Sequence, residues 1–205
     1  MQGQSIHDVR SIHSGSVQPR EASSVKRSAI TLFQARVGAY LGRAAHGTSH
    51  RRGRHYENLL AYLLSSVPGC VVKRNTLNAY GTEEVDIAVA NSKATAGLHM
   101  LPELFLVECK NWSHPVDSTT LGYFVNVIAD RGCRTGILAA AGGITGDQTH
   151  RTRAYAIGAA ALIRGIRILV ITADDLRAMR RPTDLVKLLH ERDLALTAYG
   201  SIHLG

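Results

Sequence analysis

The stretch Phe105-Leu-Val-Glu-Cys-Lys-Asn-Trp112 constrains this chain more than any other. It opens on apolar residues that favour a buried strand and then sets Glu108 and Lys110 two positions apart. Side chains at i and i+2 of a strand share a face, so a carboxylate and an ammonium emerge together from the end of a buried strand. Charged residues are rarely buried there without a purpose. Upstream, Glu83-Glu-Val-Asp-Ile-Ala-Val-Ala90 reads as a second strand carrying Asp86 between Val85 and Ile87. Two carboxylates on adjacent strands beside a lysine can hold a hard divalent cation and position a water near a phosphate. The same three residues can also form a structural ion-pair cluster at a sheet edge, although a buried pair alone stabilises little.

Around these strands the apolar pattern alternates between periods. Residues 1–24 are polar and aperiodic and read as disordered. From Val25 to Ala45, Ile30, Leu32, Phe33, Val37, Tyr40 and Leu41 recur at helical spacing and predict an amphipathic helix. Ala44 to Arg54, with its glycines, histidines and arginines, reads as a linker. Tyr56, Leu59, Leu60, Leu63 and Leu64 make the apolar stripe of a helix over His55–Ser65, which Pro68-Gly69 stops.

A short strand over Cys70–Lys73 and the Asp86 strand follow, and an irregular connection over 91–102 leads to the Glu108 strand. Asn111 to Pro115 is a loop, and Asp117 or Ser118 can cap a helix whose buried face is Leu121, Phe124, Val125 and Ile128. Arg134–Ala141 predicts a strand, Asp147 the N-cap of a helix to about Arg164, and Ile166–Thr172 a further buried strand. A short helix from Asp174 to about Arg180 and a last helix over Thr183–Arg192 close the reading. Helix, three-strand meander, helix, strand, helix, strand is an α/β order with a mixed sheet between helices. We divide the chain into an arm (1–50), a catalytic domain (51–180) and a C-terminal helix and tail (181–205).

Charge separates the arm from the rest. Of the net +8, residues 1–55 hold nine Lys/Arg against two acids, and the remainder is nearly neutral. The cluster Arg51, Arg52 and Arg54 suits sequence-independent phosphate contacts, or simply a solvated tail. Three cysteines, Cys70, Cys109 and Cys133, form no C-x-x-C pair and read as buried free thiols. No apolar run reaches membrane-span length, and the N-terminus lacks the apolar core of a signal peptide, so the expectation is no membrane and a cytoplasmic location. The chain contains no G-x-x-x-x-G-K-[ST], G-x-S-x-G or H-E-x-x-H.

The Asp86…Glu108-x-Lys110 arrangement resembles the PD-(D/E)XK nuclease superfamily, and within it the Mrr-like restriction endonuclease branch, over roughly residues 53–176. Val85 stands where the family's leading proline is common. The resemblance implies a restriction-endonuclease-like three-layer sandwich with a central mixed sheet, here bearing a basic N-terminal arm. It implies a metal-dependent endonuclease hydrolysing DNA phosphodiester bonds, with Mg²⁺, or alternatively Mn²⁺, held by Asp86, Glu108 and the Cys109 backbone carbonyl. Lys110 would orient or help deprotonate the water. Glu57, on the edge of the first helix's stripe, matches an acid often supplied there; it is equally a solvated charge favoured by the helix dipole. Asn111, Trp112 and Tyr123 join Arg51, Arg52 and Arg54 as candidates for nucleic-acid contact, with a core or loop-packing role as the alternative. His114 and His150 stand near loops that can face the site, although a lone His is more often structural. The expected partners are DNA and either a second copy or a separate recognition subunit. A Holliday-junction-resolvase-like or repair nuclease, and a catalytically inactive DNA-binding module, are the alternatives.

Overall fold

The computed structural model describes residues 19–78, 81–150 and 152–204, with side chains from residue 30 onward. Most of the segment read as disordered, residues 1–18, lies outside the described residues. Eleven elements follow in order: α1 (Pro19–Ala45), α2 (Ser49–Ser65), β1 (Cys70–Leu77), β2 (Glu84–Asn91), β3 (Leu104–Lys110), α3 (Ser118–Asp130), β4 (Thr135–Ala140), α4 (Ala154–Ile163), β5 (Arg167–Ile171), α5 (Ala173–Ala178) and α6 (Pro182–Tyr199). The strands form one sheet in the order β1-β2-β3-β4-β5. Its first two pairings are antiparallel and its last two parallel. The α/β architecture with a mixed sheet flanked by helices is therefore as expected.

Burial along the strands follows their place in the sheet. Every residue of β4 is buried, as a strand covered on both faces requires, whereas the edge strand β1 alternates between half-buried and exposed. A Cβ at Gly136 would stand 2.2 Å from Ile128 Cδ1 and against the Phe124 ring, so α3 lies directly on that face of β4. The parallel registers Leu106↔Gly136, Glu108↔Leu138 and Lys110↔Ala140 put Glu108 and Lys110 on the same face. On the other face the registers Arg74↔Ile87 and Ile87↔Val107 align three side chains. There Arg74 donates hydrogen bonds to Asn58 and Glu57 of α2, which covers this side through fully buried Leu59, Leu60, Leu63 and Leu64. Each such leucine contributes on the order of 2 kcal/mol by leaving water.

Several boundaries differ from the expectation, each for a local reason. The supposed linker is largely helix. α1 runs to Ala45, Gly47 turns the chain at φ 99°, and the Thr48 hydroxyl accepts the Arg51 N–H to start α2 at Ser49. Its first turns carry arginines rather than an apolar stripe, so periodicity could not reveal them. Residues 19–24 belong to α1 rather than to a disordered tail. Within α1, Phe33, Val37 and Ala44 are buried, and Phe33 and Tyr40 meet Tyr62 of α2 at ring distances of 6.0 and 5.9 Å.

Strand β1 extends to Leu77. Asp147 does not cap α4: it accepts the His150 N–H in a separate turn, and α4 begins only at Ala154, after Arg153 at φ 52°. α6 continues past Arg192 to Tyr199, and buried Ile202 beyond it fills the space at Gly158 of α4. Cys109 is buried as expected, Cys70 and Cys133 are half-buried, and all three are free. No helix among the described residues is long and apolar enough to cross a membrane.

Candidate active site

Asp86 stands where the sheet ladder opens. On the β1 side, Arg74↔Ile87 and Thr76↔Val85 pair, but Asn75, at φ 49°, and Asp86 between them do not. On the β3 side the pairing with β2 ends at Ile87↔Val107. One step further, the Cys109 N–H donates to Asp86 Oδ2 at 2.8 Å instead of to a backbone carbonyl. The carboxylate thus substitutes for a missing ladder bond and is fixed beside β3.

Glu108 and Lys110 stand next to it, with Lys110 Nζ 2.5 Å from Glu108 Oε1. The ammonium also lies 5.7 Å from the centre of the Trp112 ring, a cation–π arrangement that holds the end of β3 in place. Asp86, Glu108 and Lys110 are half-buried.

Negative charge is concentrated at this point. The Asp86 carboxyl is pushed up to about 7: burial is the main cause and the Glu108 charge adds to it. The Cys109 N–H pulls it back, Glu57 pushes it up further and Lys110 opposes. For Lys110, burial alone would lower the pKa, but the Glu108 carboxylate outweighs burial and raises it, so the side chain stays an ammonium. The buried Cys109 thiol is held well above its ordinary value by burial, then by Asp86 and Glu108, and stays protonated.

Glu57 comes near enough to act on Asp86 and Cys109 electrostatically, yet its carboxylate pairs with Arg74 at 3.4 Å. Among the described residues no three His, Cys, Asp or Glu side chains converge as a metal cluster. What converges is a pair of carboxylates and a cation, with a carbonyl at Cys109 between Glu108 and Lys110. Carboxylate and carbonyl oxygens in so small a number are the donors Mg²⁺ takes when it keeps waters and substrate oxygens as its other ligands. The raised Asp86 carboxyl marks a site where a dication would relieve repulsion.

The candidate nucleic-acid contacts divide into two groups. Arg51 and Arg54 are exposed on α2, with Arg54 Nη2 3.5 Å from His50. Arg52, Asn111 and Trp112 instead line one open cavity of about 520 Å³ on the α2 side. There Asn111 Nδ2 donates to the carbonyls of Ala44 (2.8 Å) and Arg52 (3.2 Å), tying the end of β3 to α1 and α2. Tyr123 is exposed, its hydroxyl donating to Glu83 at 3.4 Å. His150 pairs with Asp147 in its exposed turn, and His114 stacks near Trp112.

Sequence reasoning passed over Tyr56 and Arg177, which line the same cavity. Tyr56 reads as one more member of the apolar stripe, and Arg177 as a solvated helix charge. Nothing local distinguishes either.

Residues 51–179, more than half of the chain, match the model of the Mrr catalytic family, described as restriction endonuclease. No curated protein matches the chain.

Proposed function

This chain belongs to the Mrr-type restriction endonuclease family, and on that premise we propose that it is a metal-dependent endonuclease hydrolysing DNA phosphodiester bonds. The observation that carries this reading is the placement of Asp86, Glu108 and Lys110 together at the open end of the β2–β3 ladder. A Mg²⁺ held by Asp86, Glu108 and the Cys109 carbonyl would act as Lewis acid and template for a phosphate oxygen.

The remaining chemistry belongs to the chain. Hydrolysis joins a water oxygen to phosphorus, breaks the bond to the leaving sugar oxygen, and builds negative charge on the phosphate oxygens in between. Lys110, kept as an ammonium by Glu108, can offset that charge and hold the attacking water by donating to it. Its tasks are orientation and charge, and the water's proton passes to solvent as the bond to phosphorus forms. Asp86, anchored by the Cys109 N–H, keeps the site's geometry when substrate enters. The exposed Arg51 and Arg54 supply sequence-independent attraction to the phosphate backbone.

The test is cleavage of supercoiled plasmid by wild type and Lys110→Ala, each with Mg²⁺, Mn²⁺ or EDTA. Nicking or linearisation that needs both the metal and Lys110 is expected. Cleavage that persists in EDTA, or in the variant, would sink the reading.

A further inference from the structure

The cavity on the α2 side of β3 lies at the carboxyl ends of three parallel strands. Asn111 and Trp112 follow β3, Ala141 and Gly142 follow β4, and Ala173 opens α5 just beyond β5. Carboxyl ends of parallel strands are where open α/β sheets bind ligands, and about 520 Å³ lies in the range of small-molecule sites. It opens on the face of β3 opposite Glu108 and Lys110 and borders the catalytic site at Trp112, whose ring centre lies 5.7 Å from the Lys110 ammonium. Glu108 and Lys110 point to the α3 side, and Cys109 and Asn111, one residue out of phase, to the other.

Two side chains there lack what their chemistry demands. Tyr56 is 1% exposed, and its hydroxyl has no hydrogen-bond partner among the described residues. Arg52, half-buried, makes no ion pair among them, and its Nε is buried without an acceptor. The nearby acids are engaged elsewhere: Glu57 with Arg74, Asp174 with Arg177, and Asp175 with Arg192 and the cap of α5. A buried donor without an acceptor and a cation without an anion are each costly, and one ligand resolves both. It must be anionic and offer several acceptor oxygens, as a phosphate does. Trp112 adds an aromatic wall on which a base can stack.

We propose that this cavity is a phosphate-ester site, in which Arg52 and the Tyr56 hydroxyl hold the phosphate of a nucleotide-sized ligand behind the catalytic strand. The phosphate is that of a free nucleotide or of a nucleic-acid strand end. The site requires no cleavage to be detected, so it stands or falls separately from the nuclease reading.

Trp112 is the chain's single tryptophan and lines the cavity, which makes its fluorescence the readout. The full chain, in EDTA, is titrated with inorganic phosphate, a deoxynucleoside 5′-monophosphate, and a short oligonucleotide with a 5′-phosphate or a 5′-hydroxyl. A saturable change is expected. Arg52→Gln should weaken it by about tenfold or more and Tyr56→Phe by roughly fivefold, with thermal melts showing that both variants fold. Lys110→Ala removes the ammonium beside the Trp112 ring and so shifts the baseline emission, but the affinity for each probe should stay as in wild type. Tighter binding of the mononucleotide identifies a free ligand; preference for the 5′-phosphorylated strand identifies a strand end. Three results would overturn the site: no saturable change with any probe, equal affinity in both cavity variants, or loss in Lys110→Ala with Arg52→Gln unaffected, which would place the phosphate on the catalytic face.

Discussion

The two faces of β3 carry opposite imbalances. On the α3 side, Asp86 and Glu108 crowd negative charge around one ammonium, and burial, with the Glu108 charge added to it, raises the Asp86 carboxyl to about 7. On the α2 side, Arg52 Nε and the Tyr56 hydroxyl stand as donors without acceptors among the described residues. One strand residue separates them: Cys109 is buried toward α2, while Glu108 and Lys110 face away. A strand end alternates its side chains regardless of charge, so a single β3 terminus can present a cation-seeking face and an anion-seeking face. Phosphate chemistry has use for both.

The largest expected effect breaks the comparison at Lys110. Lys110→Ala should lower metal-dependent cleavage by on the order of 10²–10³-fold, while the cavity keeps its phosphate response. Parallel loss of both would mean that the two faces are one site.

Asp86→Asn sharpens it through stability. The carboxyl stands at about 7 in the fold against an ordinary 3.8. Between those values the folded state holds a proton that the unfolded chain has lost, so wild-type stability falls as pH rises through that window. Asparagine keeps an oxygen for the Cys109 N–H and has no charge to bury. In metal-free buffer Asp86→Asn should therefore be more stable than wild type at pH 8 by roughly 1–3 kcal/mol, with the gain shrinking at pH 5 and cleavage abolished. Urea melts at the two pH values decide it; a variant less stable than wild type at pH 8 would refute a carboxyl raised by burial and the Glu108 charge.

Tyr56→Phe probes the other face in the same way. Because the hydroxyl has no partner among the described residues, its removal should change ligand-free stability by no more than about 1 kcal/mol, in the stabilising direction. A clear loss would show that the hydroxyl is satisfied without a ligand.

The smallest effect concerns the support of the cavity rim. Thr172 and Asp175 form a reciprocal cap on α5, the helix that carries Arg177. Thr172→Ala should cost about 1 kcal/mol and loosen phosphate binding no more than severalfold, leaving cleavage unchanged.

Legibility differed between the two faces for a reason visible in particular residues. Glu108 and Lys110 could be assigned to one face from their spacing alone, and the alternation of strand and helix patterns was enough for a mixed sheet between helices. In the sequence the first turns of α2 look like a linker, because Arg51, Arg52 and Arg54 hide a helix that an apolar stripe would show. Asp147 looked like a helix cap, but Arg153 at φ 52° starts α4 later.

Parity along a strand, helical periodicity and the Asp…Glu-x-Lys spacing are properties of neighbouring residues, and they were determined by the sequence by itself. Which strands pair, and in which register, was decided only by tertiary structure. Asp86 reaches Cys109 across 23 positions of chain, and Asn111 joins the end of α1 across 67. Such meetings depend on long-range packing of the whole core, where the cost of closing the chain is recovered only once many contacts form together. The same is true of Arg52 Nε and the Tyr56 hydroxyl: that they find no partner among the described residues follows only once α1, α2 and the end of β3 have closed around them.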